Sequence, residues 1–173
     1  MRRCDAPAIG CDRMEWYAFP EDLRRRPAPG FRLPSSQGRL ISLADYRGRS
    51  NLVLFFIHGA DCAACCRAVE MFAGHRADFR AQAAKVLVVS PGTTDGMPAP
   101  LDAGLLVLAD PAGEMRRAYA ALLPEGGAGD VPLFVLDRYG APYAALACPE
   151  ANAPALQREV LEWLAFIEIQ CPE

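Results

Sequence analysis

The chain has 173 residues, with 18 Lys and Arg against 21 Asp and Glu, so its formal charge of −3 leaves no cationic excess for nucleic-acid phosphates. Hydrophobic residues at 52% and charged residues at 23% exclude a mainly disordered chain, and the length suits one sizeable core better than two. No apolar run approaches the ~20 residues of a membrane span.

The start, Met1-Arg2-Arg3-Cys4-Asp5-Ala6-Pro7, lacks the apolar region of an export signal, so a cytoplasmic setting without membrane attachment is expected. In that setting seven cysteines, an odd number, point to reactive or metal-binding thiols rather than to a disulfide framework.

Residues 1–27 read as an N-terminal arm, followed by a single domain over 28–173. Arg24-Arg25-Arg26, beside Pro27 and Pro29, reads as solvated linker, and the aromatic patch of Trp16, Tyr17 and Phe19 is expected to dock on the domain's own surface. Arg39–Leu43 suits a short strand. The uninterrupted apolar run Leu52–Ile57 suits a central strand buried on both faces. Asp61 is a plausible N-cap for a helix reaching about Ala83, with Cys65, Val69, Phe72, Arg76 and Phe79 on one face. A second buried strand at Val86–Val89 completes a βαβ unit.

Ser90–Gly104, rich in Gly and Pro, reads as loop. Leu105–Leu108 is a third strand, and Asp110-Pro111 is expected to open a helix through about Leu122. Val131–Asp137 and Tyr143–Ala147 read as a hairpin. The last helix, from about Ala153 to Ile169, carries the buried stripe Leu156, Val160, Leu164 and Ile167. The order points to an α/β fold with a mixed central sheet flanked by helices.

The chemistry concentrates in His58-Gly59-Ala60-Asp61-Cys62-Ala63-Ala64-Cys65-Cys66, which joins the buried strand to the helix. A cysteine at a helix N-terminus meets unpaired N–H groups and the positive end of the dipole, which can bring a thiol from ~8.5 into the range ~3.5–7.5. Cys65, three residues on, shares the helix face with Cys62, within the separation a disulfide bridges. Cys62 is expected to be the more exposed sulfur and the attacking thiolate, with Cys65 as the resolving thiol.

Other readings stand beside this one. The cysteines could simply pack, or Cys62, Cys65 and Cys66 with His58 could supply four metal ligands, although structural zinc usually takes two separated pairs. Cys66, four residues from Cys62, is either a competing resolver or a packing residue. Asp61 opposes a thiolate beside it by like-charge repulsion, which a protonated His58 would offset. Cys148 suits core packing, Cys4, Cys11 and Cys171 lie near the termini, and Asp110 and Asp137 read as cap and turn residues. Neither a metal nor a cofactor is expected, and the sequence sets no oligomeric state.

Taken in order, Pro29-Gly30-Phe31-Arg32-Leu33-Pro34, the Leu43–Gly48 turn, the CxxC junction, Asp110-Pro111-Ala112-Gly113-Glu114 and Val131-Pro132-Leu133-Phe134-Val135-Leu136-Asp137 resemble the alkyl hydroperoxide reductase/thiol-specific antioxidant (redoxin) family. The resemblance implies a thioredoxin-like fold, with Pro132 as a cis-proline facing the CxxC. It also implies either thiol–disulfide exchange or peroxide reduction. Peroxiredoxins carry P-x-x-x-T-x-x-C and an Arg. With their reactive cysteine placed on Cys65, His58 stands at the Pro, Cys62 at the Thr and Val131 at the Arg. The thioredoxin-like branch fits the CxxC and Val131-Pro132 better, although Phe56 stands where thioredoxin has a buried Asp and Asp61 where it has a Trp.

The expected function is therefore thiol–disulfide exchange at Cys62 and Cys65, with a disulfide-containing protein or small thiol as substrate and an external thiol reductant. A weak thiol peroxidase is the nearer alternative. A non-catalytic redox-sensing, metal-binding or partner-binding module is the further one.

Overall fold

The computed structural model describes residues 16–95, 105–124, 133–147 and 153–170. Six strands form one mixed sheet: β1 (Trp16–Ala18), β4 (Asn51–Phe56), β5 (Ala84–Ser90), β6 (Leu105–Ala109), β7 (Leu133–Leu136) and β8 (Pro142–Leu146). They lie in the order β1-β8-β7-β4-β5-β6. β4 runs parallel to β5, β5 parallel to β6, and the β7–β8 hairpin is antiparallel to itself and to β4. A separate two-stranded sheet pairs β2 (Arg32–Pro34) with β3 (Leu40–Ser42).

Every residue of β4 is buried because both faces of the sheet are covered. Alternation sends Val53 and Phe55 to one face, where they meet α2 (Ala63–Gly74), α3 (Arg76–Ala81) and α5 (Ala153–Gln170) through Val69, Phe72, Phe79, Leu156 and Leu164. Leu52, Leu54 and Phe56 face the other way, towards Met115 and Tyr119 of α4 (Glu114–Ala120). The stripe Leu156, Val160, Leu164 and Ile167 is fully buried, as the helical period predicts. Among the described residues no helix is long and apolar enough to cross a membrane.

Three elements differ from the sequence expectation. The aromatic patch is built into the sheet rather than laid on it: β1 pairs with β8, Phe19 is fully buried, and the Trp16 indole N–H donates to Glu159 at 2.7 Å. The described part of residues 1–27 also holds the helical turn α1 (Glu21–Arg24). The helix expected to reach Ala83 is two helices, because the chain leaves helical geometry at His75 before α3 begins.

The third difference lies at the start of α4. Pro111 precedes the helix, Gly113 is its N-cap, and the buried Asp110 accepts hydrogen bonds from the N–H groups of Glu114 and Arg116, both at 3.0 Å. Gly113 has φ +67°, a conformation costly for any residue with a Cβ. This turn sets the start of the helix that carries Arg116.

Candidate active site

The site forms where β4 ends and α2 begins. Ile57 continues the ladder by donating its N–H to Val89 at 3.0 Å, and the chain then turns through His58–Asp61 into the helix. Cys62 is the N-cap with extended backbone, and Cys65 lies in the first turn. Asp61 is exposed and one residue too early to cap. The expected N-cap is therefore displaced by one position onto the first cysteine.

His58, Cys62 and Cys65 are brought together: His58 Nδ1 lies 3.4 Å from Cys65 Sγ and 3.9 Å from Cys62 Sγ. The ligand-type atoms of all three lie within 4.8 Å of one another, and neither sulfur is in a disulfide. That spacing lets a side-chain rotation close a Cys62–Cys65 disulfide. The His58 backbone N–H also donates to Cys65 Sγ at 3.4 Å.

The expectation that Cys62 is the exposed sulfur is not met. Cys62 is 2% exposed and Cys65 0%, because both side chains belong to the core cluster under α2. Solvation therefore does not distinguish them.

Cys66 points elsewhere. Its S–H donates to the Ala60 carbonyl at 3.3 Å, and burial, followed by the negative charge of Cys62, Glu70 and Asp61, pushes its thiol pKa upward. A thiol held protonated is a poor competitor for resolution. Its direction also breaks up the four-ligand arrangement considered from sequence, since it does not join the other three groups.

Val131 and Pro132 lie outside the described residues, as do Cys4, Cys11, Cys148 and Cys171. Asp110 and Asp137 serve as the cap and turn residues expected of them. Asp137 Oδ1 accepts from the N–H groups of Tyr139 and Ala141, both at 2.8 Å.

Arg116 is the site neighbour that sequence reasoning missed. It is half-buried, its guanidinium lies 5.6 Å from the centre of the Phe56 ring, and Nη2 donates to the Ile57 carbonyl at 2.5 Å. Burial lowers its pKa, while the charges of Asp110 and Cys65 oppose that shift. An arginine directly after the buried Met115 carries no pattern linking it to a cysteine about fifty positions earlier in the chain. The contact exists because α4 crosses the end of β4.

Residues 25–141 match the AhpC/TSA family model. The chain belongs to the AhpC/TSA family. A Mycobacterium tuberculosis (strain H37Rv) protein provisionally named peroxiredoxin Rv2521 is 34% identical over 97 residues, which are 54% of this chain. The match spans 61% of that relative's length.

Among solved structures, peroxidoxin BcpB from Mycobacterium tuberculosis is similar at TM-score 0.66 and 18% identity, over 83% of this chain and 96% of that one. A Chlorobium tepidum protein provisionally assigned as the thiol:disulfide interchange protein DsbE is similar at TM-score 0.60 and 26% identity, over 80% and 95%. The AhpC/TSA chain therefore has a thioredoxin-type fold.

Proposed function

We propose that this AhpC/TSA protein is a thiol–disulfide oxidoreductase working through Cys62 and Cys65. The observation that carries the reading is the convergence of two thiols and one imidazole at the start of α2. In exchange, a thiolate of the pair attacks a substrate disulfide and releases one thiolate. The second cysteine then attacks the mixed disulfide, releases the other thiolate and closes Cys62–Cys65. An external thiol returns the pair to the reduced state, as a cytoplasmic thiol pool would. In this reading His58, whose Nδ1 lies 3.4 Å from Cys65 Sγ and 3.9 Å from Cys62 Sγ, takes and returns the proton.

Enclosure of both sulfurs favours a second reading, reduction of a small peroxide, because such a substrate needs little opening. In that case Cys65 thiolate takes one oxygen from ROOH to give a sulfenic acid and ROH, and Cys62 displaces water to form the disulfide.

The test offers glutathione disulfide and hydrogen peroxide separately to the reduced full chain, with dithiothreitol as electron donor. Turnover with either substrate that is lost in the double variant Cys62→Ser/Cys65→Ser, and kept in Cys66→Ser, is the expected result, because dithiothreitol itself resolves the adduct of a single attacking cysteine. Turnover that survives in the double variant would remove the assignment.

A further inference from the structure

The Ile57–His58 peptide touches two groups from opposite sides of the sheet. Its carbonyl accepts from Arg116 at 2.5 Å, and its N–H donates to Cys65 Sγ at 3.4 Å. Arg116 comes from α4, which packs on the face opposite the cysteines through Met115 and Tyr119. We propose that Arg116 is a positioning residue that stabilises the Cys65 thiolate, by its charge and by polarising the peptide whose carbonyl it holds and whose N–H is aimed at the sulfur.

The physical basis is cooperative hydrogen bonding in a site sheltered from water. A cation on a carbonyl strengthens the donor at the other end of the same amide, and a donor to an anion counts for more where solvent is excluded. Arg116 is itself held. Its backbone N–H is bound by Asp110, whose buried carboxylate caps α4, and its side chain lies near the Phe56 ring. The charge of Cys65 acts on Arg116 in turn, as expected of groups close enough to couple.

The other titratable groups shown beside the Cys65 sulfur are His58 on the loop and Cys62 on α2, with Asp110 behind Arg116, whereas Asp61, Glu70 and Arg67 act on Cys66. Of the groups at Cys65, His58 and Arg116 are the cationic types, and Arg116 alone keeps its charge at every working pH.

The inference rests on the reading that Cys65 is a redox thiol, and the experiment separates the two. Methyl methanethiosulfonate is small, and thiolate attack on it forms Cys65–S–S–CH3 and releases methanesulfinate. Its rate at Cys65 is followed by peptide mass against pH in the full chain carrying Cys62→Ser, which prevents resolution. Arg116→Met keeps bulk over Phe56 and removes the charge, and Arg116→Lys restores it. The expected result is a pH midpoint moved up by about one unit in Arg116→Met, hence about tenfold slower modification below it, with most of the shift recovered in Arg116→Lys.

Cys66, turned to Ala60, supplies the internal control and should keep its profile. A Cys65 profile unchanged in Arg116→Met, or a Cys66 profile moved as far as that of Cys65, overturns the inference and leaves the redox reading standing. No modification of Cys65 at any pH in the chain with Arg116 intact overturns both.

Discussion

His58 meets Cys65 twice, with its backbone N–H donating to Sγ at 3.4 Å and its ring Nδ1 at 3.4 Å from the same sulfur. The two contacts have different chemistry. The N–H is a fixed donor that any residue but proline would supply at 58, whereas the ring can accept or release a proton. His58→Ala should therefore keep the geometry of the loop while slowing formation of the Cys62–Cys65 disulfide by about tenfold or more at neutral pH. Stopped-flow oxidation followed by acid quench and mass analysis measures it. A rate unchanged to within about twofold, below what general acid–base help usually contributes, would remove the ring from the mechanism.

Mild oxidation should give one dominant bond, Cys62–Cys65. Cys66 has the sequence spacing to compete, but its S–H is committed to Ala60 and its thiol is pushed upward by burial and by neighbouring negative charge. Non-reducing peptide mapping reads the connectivity directly. Raising the pH should bring Cys66 into alkylation later than an ordinary thiol, since a raised pKa delays its thiolate. Cys62–Cys66 as the main product would show that the orientation of Cys66 changes on oxidation.

The parts of this structure legible in the sequence are those with strong periodicity or with a motif at a junction. Leu52–Ile57 suits a doubly covered strand by its length and its aromatic and branched content, and the stripe from Leu156 to Ile167 suits a core-facing helix side. Cys62 at the start of a helix followed from the strand before it. Three features were hidden for physical reasons. Trp16–Ala18 is too short for a strand period, and its partner, β8, lies more than a hundred residues away. The break at His75 is marked only by Gly74, an isolated glycine that a helical pattern tolerates, and by no proline. Arg116 reaches the site through the crossing of α4 over the end of β4, a tertiary relation with no local signal.

Acid should weaken the anchoring of α5. Glu168 accepts from Asn51 at 2.6 Å and from Arg138 at 2.9 and 2.7 Å, joining α5 to the start of β4 and to the β7–β8 turn. Burial raises the pKa of this carboxyl, but the hydrogen bonds from Asn51 and Arg138 and the charge of Arg138 hold it below its usual value. A depressed folded pKa means stability that is complete above the unfolded value, ~4.3, and lost as pH falls through the folded one. Urea unfolding at pH 7 and near pH 3 should show the parent losing more stability than Glu168→Gln across that interval. At pH 7 the variant should cost about 1 kcal/mol, since the pair is partly open to solvent. An equal loss in both proteins would place the acid sensitivity elsewhere.

The order of attack follows from which sulfur is the better thiolate. Two reasons would favour Cys62, its position at the helix end and greater access to water. The second is absent, since the sulfurs are 2% and 0% exposed. The first is largely shared, because N-cap Cys62 and first-turn Cys65 both lie along the stretch of unpaired N–H groups that opens the helix. What favours Cys65 is the His58 N–H that points to it, with Arg116 behind that peptide. One thiolate also disfavours a second beside it, so a small advantage decides which sulfur ionises. Cys65 should therefore attack and Cys62 resolve, the reverse of the order that exposure alone predicts. Under limiting hydrogen peroxide, Cys62→Ser should accumulate a sulfenic acid at Cys65, trapped by dimedone and located by mass, because its resolving thiol is gone. Cys65→Ser should give little adduct at Cys62 below neutral pH. Adduct at Cys62 in Cys65→Ser, forming faster than adduct at Cys65 in Cys62→Ser, would restore Cys62 as the nucleophile and leave Cys65 to resolve.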